Sequence, residues 1–297
     1  MIRLLAPFVL ALLAATAPAG RAETERLRVV TSFTIIQDMA ANVAGARADI
    51  VSLTPPGADI HLYEPTPRDI LRISNADLVL LNGLELEAWF GGFLDNAGEA
   101  PRAVVSDGLV PMAISGGEYD GQPNPHGWMG LDGAAIYIGN IAQALSDLDP
   151  ANADEYRENA QGYLGRIEAR IGPLRDRLRA LPEKRRVLVT SEGAFSYLAR
   201  DAHLGELFLW PVNADQQGLP QQVRRVIDAV RARNIPAVFS ESTVSARPAQ
   251  QIARETGAAY GGVLFVDTLS ARDGPVPSYI DLLAVTSETI LRGLSDG

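Results

Sequence analysis

The sequence predicts an α/β protein of two lobes, each a four-stranded parallel sheet flanked by helices, with one long helix joining the lobes. Short runs rich in Val, Ile and Leu alternate with stretches of helical periodicity along the 297 residues. These apolar runs lack in-and-out alternation, which indicates strands that are buried on both faces. A long stretch rich in Arg and Glu separates two halves, and each half has four strand–helix units.

The first half, residues 23–148, is expected to form the N-terminal lobe. Its predicted strands are Leu27–Val30, Ile50–Leu53, Leu78–Leu81 and Ala103–Val105. Helical patterns between and after these strands cover Ile35–Val43, Pro67–Ile73 and Asp132–Leu145. Alternation of strand and helix predicts parallel strands joined by right-handed crossovers.

One long helix is expected within residues 149–182, because Tyr, Leu and Ile recur there near helical spacing. Asp149-Pro150 marks its start and Leu181-Pro182 its end. Pro173 lies inside it and is expected to kink it, because proline lacks a backbone donor. A single long helix between lobes would resist a large hinge opening.

The second half, residues 183–297, is expected to form the C-terminal lobe. Its predicted strands are Val187–Thr190, Leu207–Val212, Ala237–Ser240 and Val263–Val266. Helical patterns cover Gln221–Arg233, Pro248–Thr256 and Ser278–Leu294.

Residues 1–22 read as a secretory signal peptide. Arg3 precedes an apolar run, Leu4 to Ala15, and small residues up to Ala22 fit a cleavage pattern. The rest of the chain has no apolar stretch of membrane-spanning length, so a soluble periplasmic monomer is expected. Cys is absent, which excludes disulfide partners. The formal net charge of −10 argues against nucleic acid as a partner.

Only three histidines occur, and two of them lie in loops beside Gly and Pro. His61 follows a predicted strand through Pro55, Pro56 and Gly57, and the prolines stiffen that loop. His126 directly follows Pro125. Histidine this sparse, placed in stiff loops, favours a role as metal ligand for both residues. The third, His203, is expected at the far end of a helix, as a surface or C-cap residue.

Two carboxylates follow predicted strands of the second half, and ligands bind parallel α/β sheets beyond the carboxyl ends of strands. Glu192 comes after Val187–Thr190, and Asp267 closes Val263–Val266. From chemistry alone each could instead serve a helix start, as charge compensation or as an N-cap. Two imidazoles and two carboxylates suit Zn²⁺, Mn²⁺ or Fe²⁺. The ion would lie between the lobes.

Five phrases carry a resemblance to a known family. They are Gly57–Pro67, Asn124–Trp128, Val189–Phe195, Phe239–Ser242 and Phe265–Leu269. In this order they resemble the solute-binding proteins of manganese, zinc and iron ABC importers (cluster A-I, the adhesin-like lipoprotein family), over the whole mature chain. The resemblance implies two lobes joined by a rigid helix. It also implies one metal ion held by His61, His126, Glu192 and Asp267, delivery to a membrane permease, and no catalysis.

The resemblance also bears on the metal. Zinc members of this family tend to have histidine where Glu192 stands, and many carry a His-rich loop ahead of the second ligand histidine. The loop Ser115–Gln122 has no His. Mn²⁺ is therefore favoured, with Fe²⁺ next, although Zn²⁺ binds most such sites more tightly than Mn²⁺ in vitro. The chain departs from the family at Ile60, where Pro is usual, and in the looser phrase Met129–Asp132.

Three alternatives stay open at this point. The chain could be a zinc-specific protein of the same family. It could be an exported metallo-hydrolase, which needs an open coordination position and a general base. It could also be an adhesin or a metal-storage protein that works without a transporter.

Overall fold

The computed structural model describes residues 26–87, 98–117, 119–213 and 218–296. The protein has the predicted two-lobed α/β fold. The expected signal peptide, residues 1–22, lies outside the described residues. Across the described ranges no helix combines the length and the apolar character needed to cross a membrane.

The first lobe contains one parallel sheet in the order β2-β1-β3-β4. Its strands are β1 (Leu27–Thr31), β2 (Ala48–Ser52), β3 (Leu78–Leu81) and β4 (Arg102–Val104). Its helices are α1 (Thr34–Ala44), α2 (Pro67–Ser74) and α3 (Leu131–Leu148). The edge strand β2 begins at Ala48, two residues before the predicted start. Asp49 in β2 is exposed, so this part of the strand lacks the apolar signal.

The joining helix α4 runs over Ala153–Arg179 and continues through Pro173. Eight of its residues are buried, and they lie at helical spacing on one side. Acidic residues occupy its first turn and arginines its last, which complements the helix dipole at both ends.

The second lobe alternates four strands with helices. The strands are β5 (Val187–Glu192), β6 (Gly205–Trp210), β7 (Ala237–Glu241) and β8 (Ala259–Leu264). The helices are α5 (Ser196–Ala202), α6 (Pro220–Arg233), α7 (Arg247–Thr256) and α8 (Tyr279–Asp296). Strand β8 begins and ends earlier than predicted. Gly261 and Gly262 give no apolar signal, yet both lie within β8, which pairs with β7 along its length.

The second sheet differs in one respect from a continuous four-stranded ladder. Within the described residues the strands pair as β5–β6 and β7–β8, both parallel. Strands β5 and β7 lie side by side. At this junction the backbone amide of Ser191 donates to the carboxylate of Glu241 at 3.0 Å. In a regular ladder a backbone carbonyl would accept this hydrogen bond.

One large hydrophobic core runs through both lobes. It contains residues of α1, α3, α4 and α8, for example Ile36, Tyr137, Ile167 and Leu282. Smaller clusters fill the outer faces, with Val226 and Ile252 among the residues in the second lobe. Because the main core is shared, the lobes are packed against each other through α4 and α8, and the carboxyl ends of their strands face a common region.

Candidate metal centre

Four side chains from four separate loops or strand ends meet between the lobes. His61 lies in the loop between β2 and α2, and His126 directly precedes a 3₁₀ turn, Gly127–Met129. Glu192 is the last residue of β5, and Asp267 lies three residues beyond β8. All four lie at or beyond the carboxyl ends of parallel strands, which is where α/β sheets bind their ligands.

The ligand-type atoms of these four residues all lie within 4.8 Å of one another. The two histidine Nε2 atoms are 3.2 Å apart. Glu192 Oε1 lies 3.5 Å from His61 Nε2 and 3.7 Å from His126 Nε2. Asp267 Oδ1 lies 4.0 and 3.5 Å from the same two nitrogens. A tetrahedral ion with bonds of about 2.0–2.2 Å has ligands roughly 3.3–3.6 Å apart, so these separations suit a single ion.

Asn124 fixes the orientation of His126. Its Oδ1 accepts from the ring Nδ1 at 2.7 Å and from the backbone amide of His126 at 3.1 Å. Its Nδ2 donates to Gly193 O at 2.8 Å, so the amide orientation is defined. Since Oδ1 can only accept, Nδ1 carries the proton and Nε2 presents a lone pair. Trp128 packs edge-on against the His126 ring, with ring centroids 5.2 Å apart.

The loop that carries His61 is fixed by a glycine turn and by side-chain hydrogen bonds. Gly57 adopts φ of +84°, a left-handed conformation that glycine enters without strain. Asp59 Oδ1 accepts from the backbone amide of His61 at 2.8 Å. After the histidine, the Tyr63 hydroxyl donates to Asp69 of α2 at 2.9 Å. The His61 side chain is 3% exposed, so the ring is fixed inside the site.

Each of the two carboxylates has one oxygen without a hydrogen-bond donor among the described residues. Glu192 Oε1 accepts from the amide of Asn213 at 2.8 Å, and Oε2 accepts none. Asp267 Oδ2 accepts from Thr243 Oγ1 at 3.2 Å, and Oδ1, which faces both imidazoles, accepts none. A buried carboxylate oxygen without a donor is costly, and a cation would stabilise it.

Burial and like charges shift the acid–base behaviour of the centre. Burial, with the nearby charges of Asp267 and Asp59, raises the pKa of Glu192 well above its usual value. Burial, with the charge of Asp267, raises the pKa of Asp59 to about 7. For Asp267, burial acts to raise the pKa, but the interactions with His126 and His61 lower it by more. The net shift in the pKa of Asp267 is therefore downward. Burial lowers the pKa of His61 to about 4, so its imidazole is neutral at pH 7.

Neither carboxylate serves a helix start. Glu192 lies in a fully buried strand, and α5 begins four residues later at Ser196. No described helix begins at Asp267. His203 is exposed and caps the carboxyl end of α5 in the left-handed conformation, as expected.

Three neighbours of the site were not predicted from the sequence. Asn124, Asn213 and Asp59 hydrogen-bond to the candidate ligands, yet none belongs to a ligand motif that chemistry alone would select. The available signal was positional, because Asn124 and Asp59 each lie two residues before a histidine in a stiff loop. Asn213 follows the end of β6 by three residues.

Comparison with known proteins places the chain in a family. The model of the family described as zinc-uptake complex component A, periplasmic, matches residues 29–293. The iron-binding protein YfeA of Yersinia pestis is 55% identical over 269 residues, which is 91% of this chain and 86% of the relative. The manganese ABC transporter substrate-binding lipoprotein PsaA of Streptococcus pneumoniae is 30% identical over 302 residues, 98% of each chain.

Solved structures agree with this placement. A Mn-bound periplasmic metal binding protein from Candidatus Liberibacter asiaticus superposes with a TM-score of 0.85 at 42% identity, covering 91% of this chain and 100% of that one. The periplasmic zinc binding protein TroA of Treponema pallidum gives 0.82 at 27% identity, covering 91% and 99%. The chain therefore belongs to this family of periplasmic metal-binding components of ABC importers.

Proposed function

We propose that the chain captures one divalent transition metal ion with His61, His126, Glu192 and Asp267 and delivers it to the permease of an ABC importer. The observation that carries this proposal is the convergence of two imidazole nitrogens and two carboxylate oxygens within 4.8 Å in a buried region. Among the described residues, one oxygen of each of these two buried carboxylates accepts no hydrogen bond. A divalent cation would neutralise the two carboxylates and fill the coordination positions that the imidazoles offer.

Binding and delivery, rather than catalysis, fit this donor set. Four protein ligands leave little room for a substrate and a reactive water on the ion, whereas catalytic sites keep a position open. We propose export by a signal peptide of residues 1–22 and action as a periplasmic monomer. The proposed lobes are residues 23–148 and 183–297, with residues 149–182 joining them.

For the metal, we propose Mn²⁺ first and Fe²⁺ next. Two of the four donors are carboxylate oxygens, and oxygen donors suit Mn²⁺ better than an all-histidine site does. The relatives support these two ions without ordering them, since YfeA is named as iron-binding and PsaA as a manganese transporter protein. Zn²⁺ is the alternative, because it binds most nitrogen and oxygen sites more tightly and TroA is a zinc binding protein.

A competition experiment tests the metal assignment. The mature chain is stripped with chelator, dialysed without oxygen against equal Mn²⁺, Fe²⁺ and Zn²⁺, and its elemental content is measured. We expect one ion per chain, with bound Zn²⁺ replaced by Mn²⁺ or Fe²⁺ when these are in excess. One Zn²⁺ per chain that resists excess Mn²⁺ would contradict the proposed order and favour zinc acquisition.

A further inference from the structure

Asn213 contacts three of the acidic groups around the candidate centre. It is 1% exposed and lies three residues after β6. Its Oδ1 accepts from the indole Nε1 of Trp210 at 2.9 Å. Because that bond fixes the oxygen end of the amide, the Nδ2 end is the one that faces the carboxylates.

The donors of Asn213 reach three carboxylates from both lobes. Its backbone amide lies 2.8 Å from Glu192 Oε1. Its Nδ2 lies 3.1 Å from Asp59 Oδ2 and, at the longer distance of 3.4 Å, from Asp267 Oδ2. Asp59 in turn holds the amide of His61. One buried residue therefore links the loop of an N-terminal ligand to both C-terminal ligands.

These contacts divide the two oxygens of Asp267 into different roles. Oδ2 receives donors from Asn213 and from Thr243 Oγ1. Oδ1 receives no donor among the described residues and lies nearest the imidazoles. Each carboxylate oxygen has two acceptor sites, so binding an ion through Oδ2 would cost at least one of these hydrogen bonds. The carboxylate is therefore arranged to bind an ion through Oδ1 alone.

We propose that Asn213 is a positioning residue that sets the metal selectivity of the site by holding Asp267 as a one-oxygen ligand. The inference rests on the proposed function. Fewer oxygen ligands favour Zn²⁺, which is satisfied by four donors, over Mn²⁺, which takes additional oxygens. Asn213 thus reduces the preference of the site for Mn²⁺ over Zn²⁺. Without it, two nitrogen and two carboxylate ligands would favour Mn²⁺ more strongly.

The test compares Zn²⁺ and Mn²⁺ affinities of the stripped full mature chain with those of Asn213→Ala and Thr243→Val. The loss of one outer-shell partner costs about 10–100-fold in metal affinity. We expect Zn²⁺ affinity to fall within that range in both variants and Mn²⁺ affinity to fall less. The Zn²⁺/Mn²⁺ affinity ratio should then drop by about tenfold. X-ray absorption of Mn²⁺-loaded Asn213→Ala should show one more oxygen neighbour than the wild type.

Thr243→Val keeps the side-chain shape and removes only the second donor to Oδ2, so it serves if Asn213→Ala does not fold. Ser240→Ala is the matched control, because it removes a hydrogen bond to Tyr260 in the same lobe. That bond involves none of the four candidate ligands. Equal losses of Zn²⁺ and Mn²⁺ affinity in the variants, with an unchanged oxygen count, would overturn the selectivity role. If the wild type binds neither ion, the proposed function fails first, and this inference with it.

Discussion

Glu192 is the candidate ligand whose protonation the binding of an ion would change. Burial and the neighbouring acids raise its pKa well above the usual value, so the metal-free residue holds its proton to a higher pH than an exposed glutamate does. His61 is already neutral at pH 7, because burial lowers its pKa to about 4. A metal ligand must be deprotonated, so ion binding would displace any proton that Glu192 holds.

We accordingly predict that metal binding at pH 7 releases protons and that Glu192 supplies part of them. Isothermal titration in two buffers of different ionisation enthalpy measures the number of protons released. Glu192→Gln, which has no proton to release at this position, should bind more weakly and release fewer protons. Asp154→Asn is the control, because Asp154 is exposed on α4 and far from the site in sequence. A binding enthalpy that does not depend on the buffer would contradict the prediction.

At the level of residues, the sequence was most informative where a residue type was rare. Two of three histidines could be selected as candidate ligands from their loops alone, and the structure brings both into one buried cluster. Glu192 and Asp267 could not be selected in the same way, since 36 acidic residues occur in the chain and any of them could follow a strand. The family resemblance singled them out. Asn124 has only a positional signal, two residues before His126, and Asn213 has none, because only the folded chain brings it to the candidate ligands.

The turn that carries His126 is positioned by the first turn of α3. A Cβ on Gly133 would lie 1.9 Å from the carbonyl oxygen of Gly127, so the helix and the 3₁₀ turn meet where no side chain fits. The position of the imidazole therefore depends on a close backbone contact. Gly139, in the same helix, is exposed and has open space around it.

These two glycines give a matched pair of substitutions. Gly133→Ala should lower the free energy of unfolding by about 1–3 kcal/mol, as overpacking does, and should weaken metal binding by moving His126. Gly139→Ala should raise the free energy of unfolding by about 0.5–1 kcal/mol through the lower backbone entropy of alanine, with metal affinity unchanged. Urea unfolding and metal titration measure both quantities. Similar effects of the two substitutions would show that the contact with Gly127 does not position the turn.

At the level of elements, periodicity and apolar runs predicted the longer helices and the alternation of strands with helices. The predicted bounds were least accurate for β8, which contains two glycines. Backbone pairing with β7 defines this strand, and its amino-acid composition does not indicate it. Periodicity also did not predict that β5 and β7 meet through the Glu241 side chain. Burial raises the pKa of the Glu241 carboxyl to about 8. Glu241 lies in a fully buried strand, and no sequence pattern predicts an acidic residue at such a position.

For the whole molecule, the lobes are joined by direct hydrogen bonds in addition to the shared core. Trp128 Nε1 donates to Val266 O at 2.8 Å, and the amide of Gly57 donates to Leu269 O at 3.1 Å. Asn124 Nδ2 reaches Gly193 O across the same boundary. Because these bonds lie next to the four candidate ligands, ion binding and lobe packing stabilise the same arrangement.

The measurement that most directly tests the proposed site compares three stripped proteins, the wild type, His61→Ala and His203→Ala, by Mn²⁺ titration and thermal unfolding. We predict one ion per chain for the wild type and for His203→Ala, with a rise in unfolding temperature on binding. His61→Ala should lose affinity by about a hundredfold or more, beyond the usual cost of losing an outer-shell partner, while its metal-free form still folds. Wild-type affinity in a folded His61→Ala protein would contradict the site.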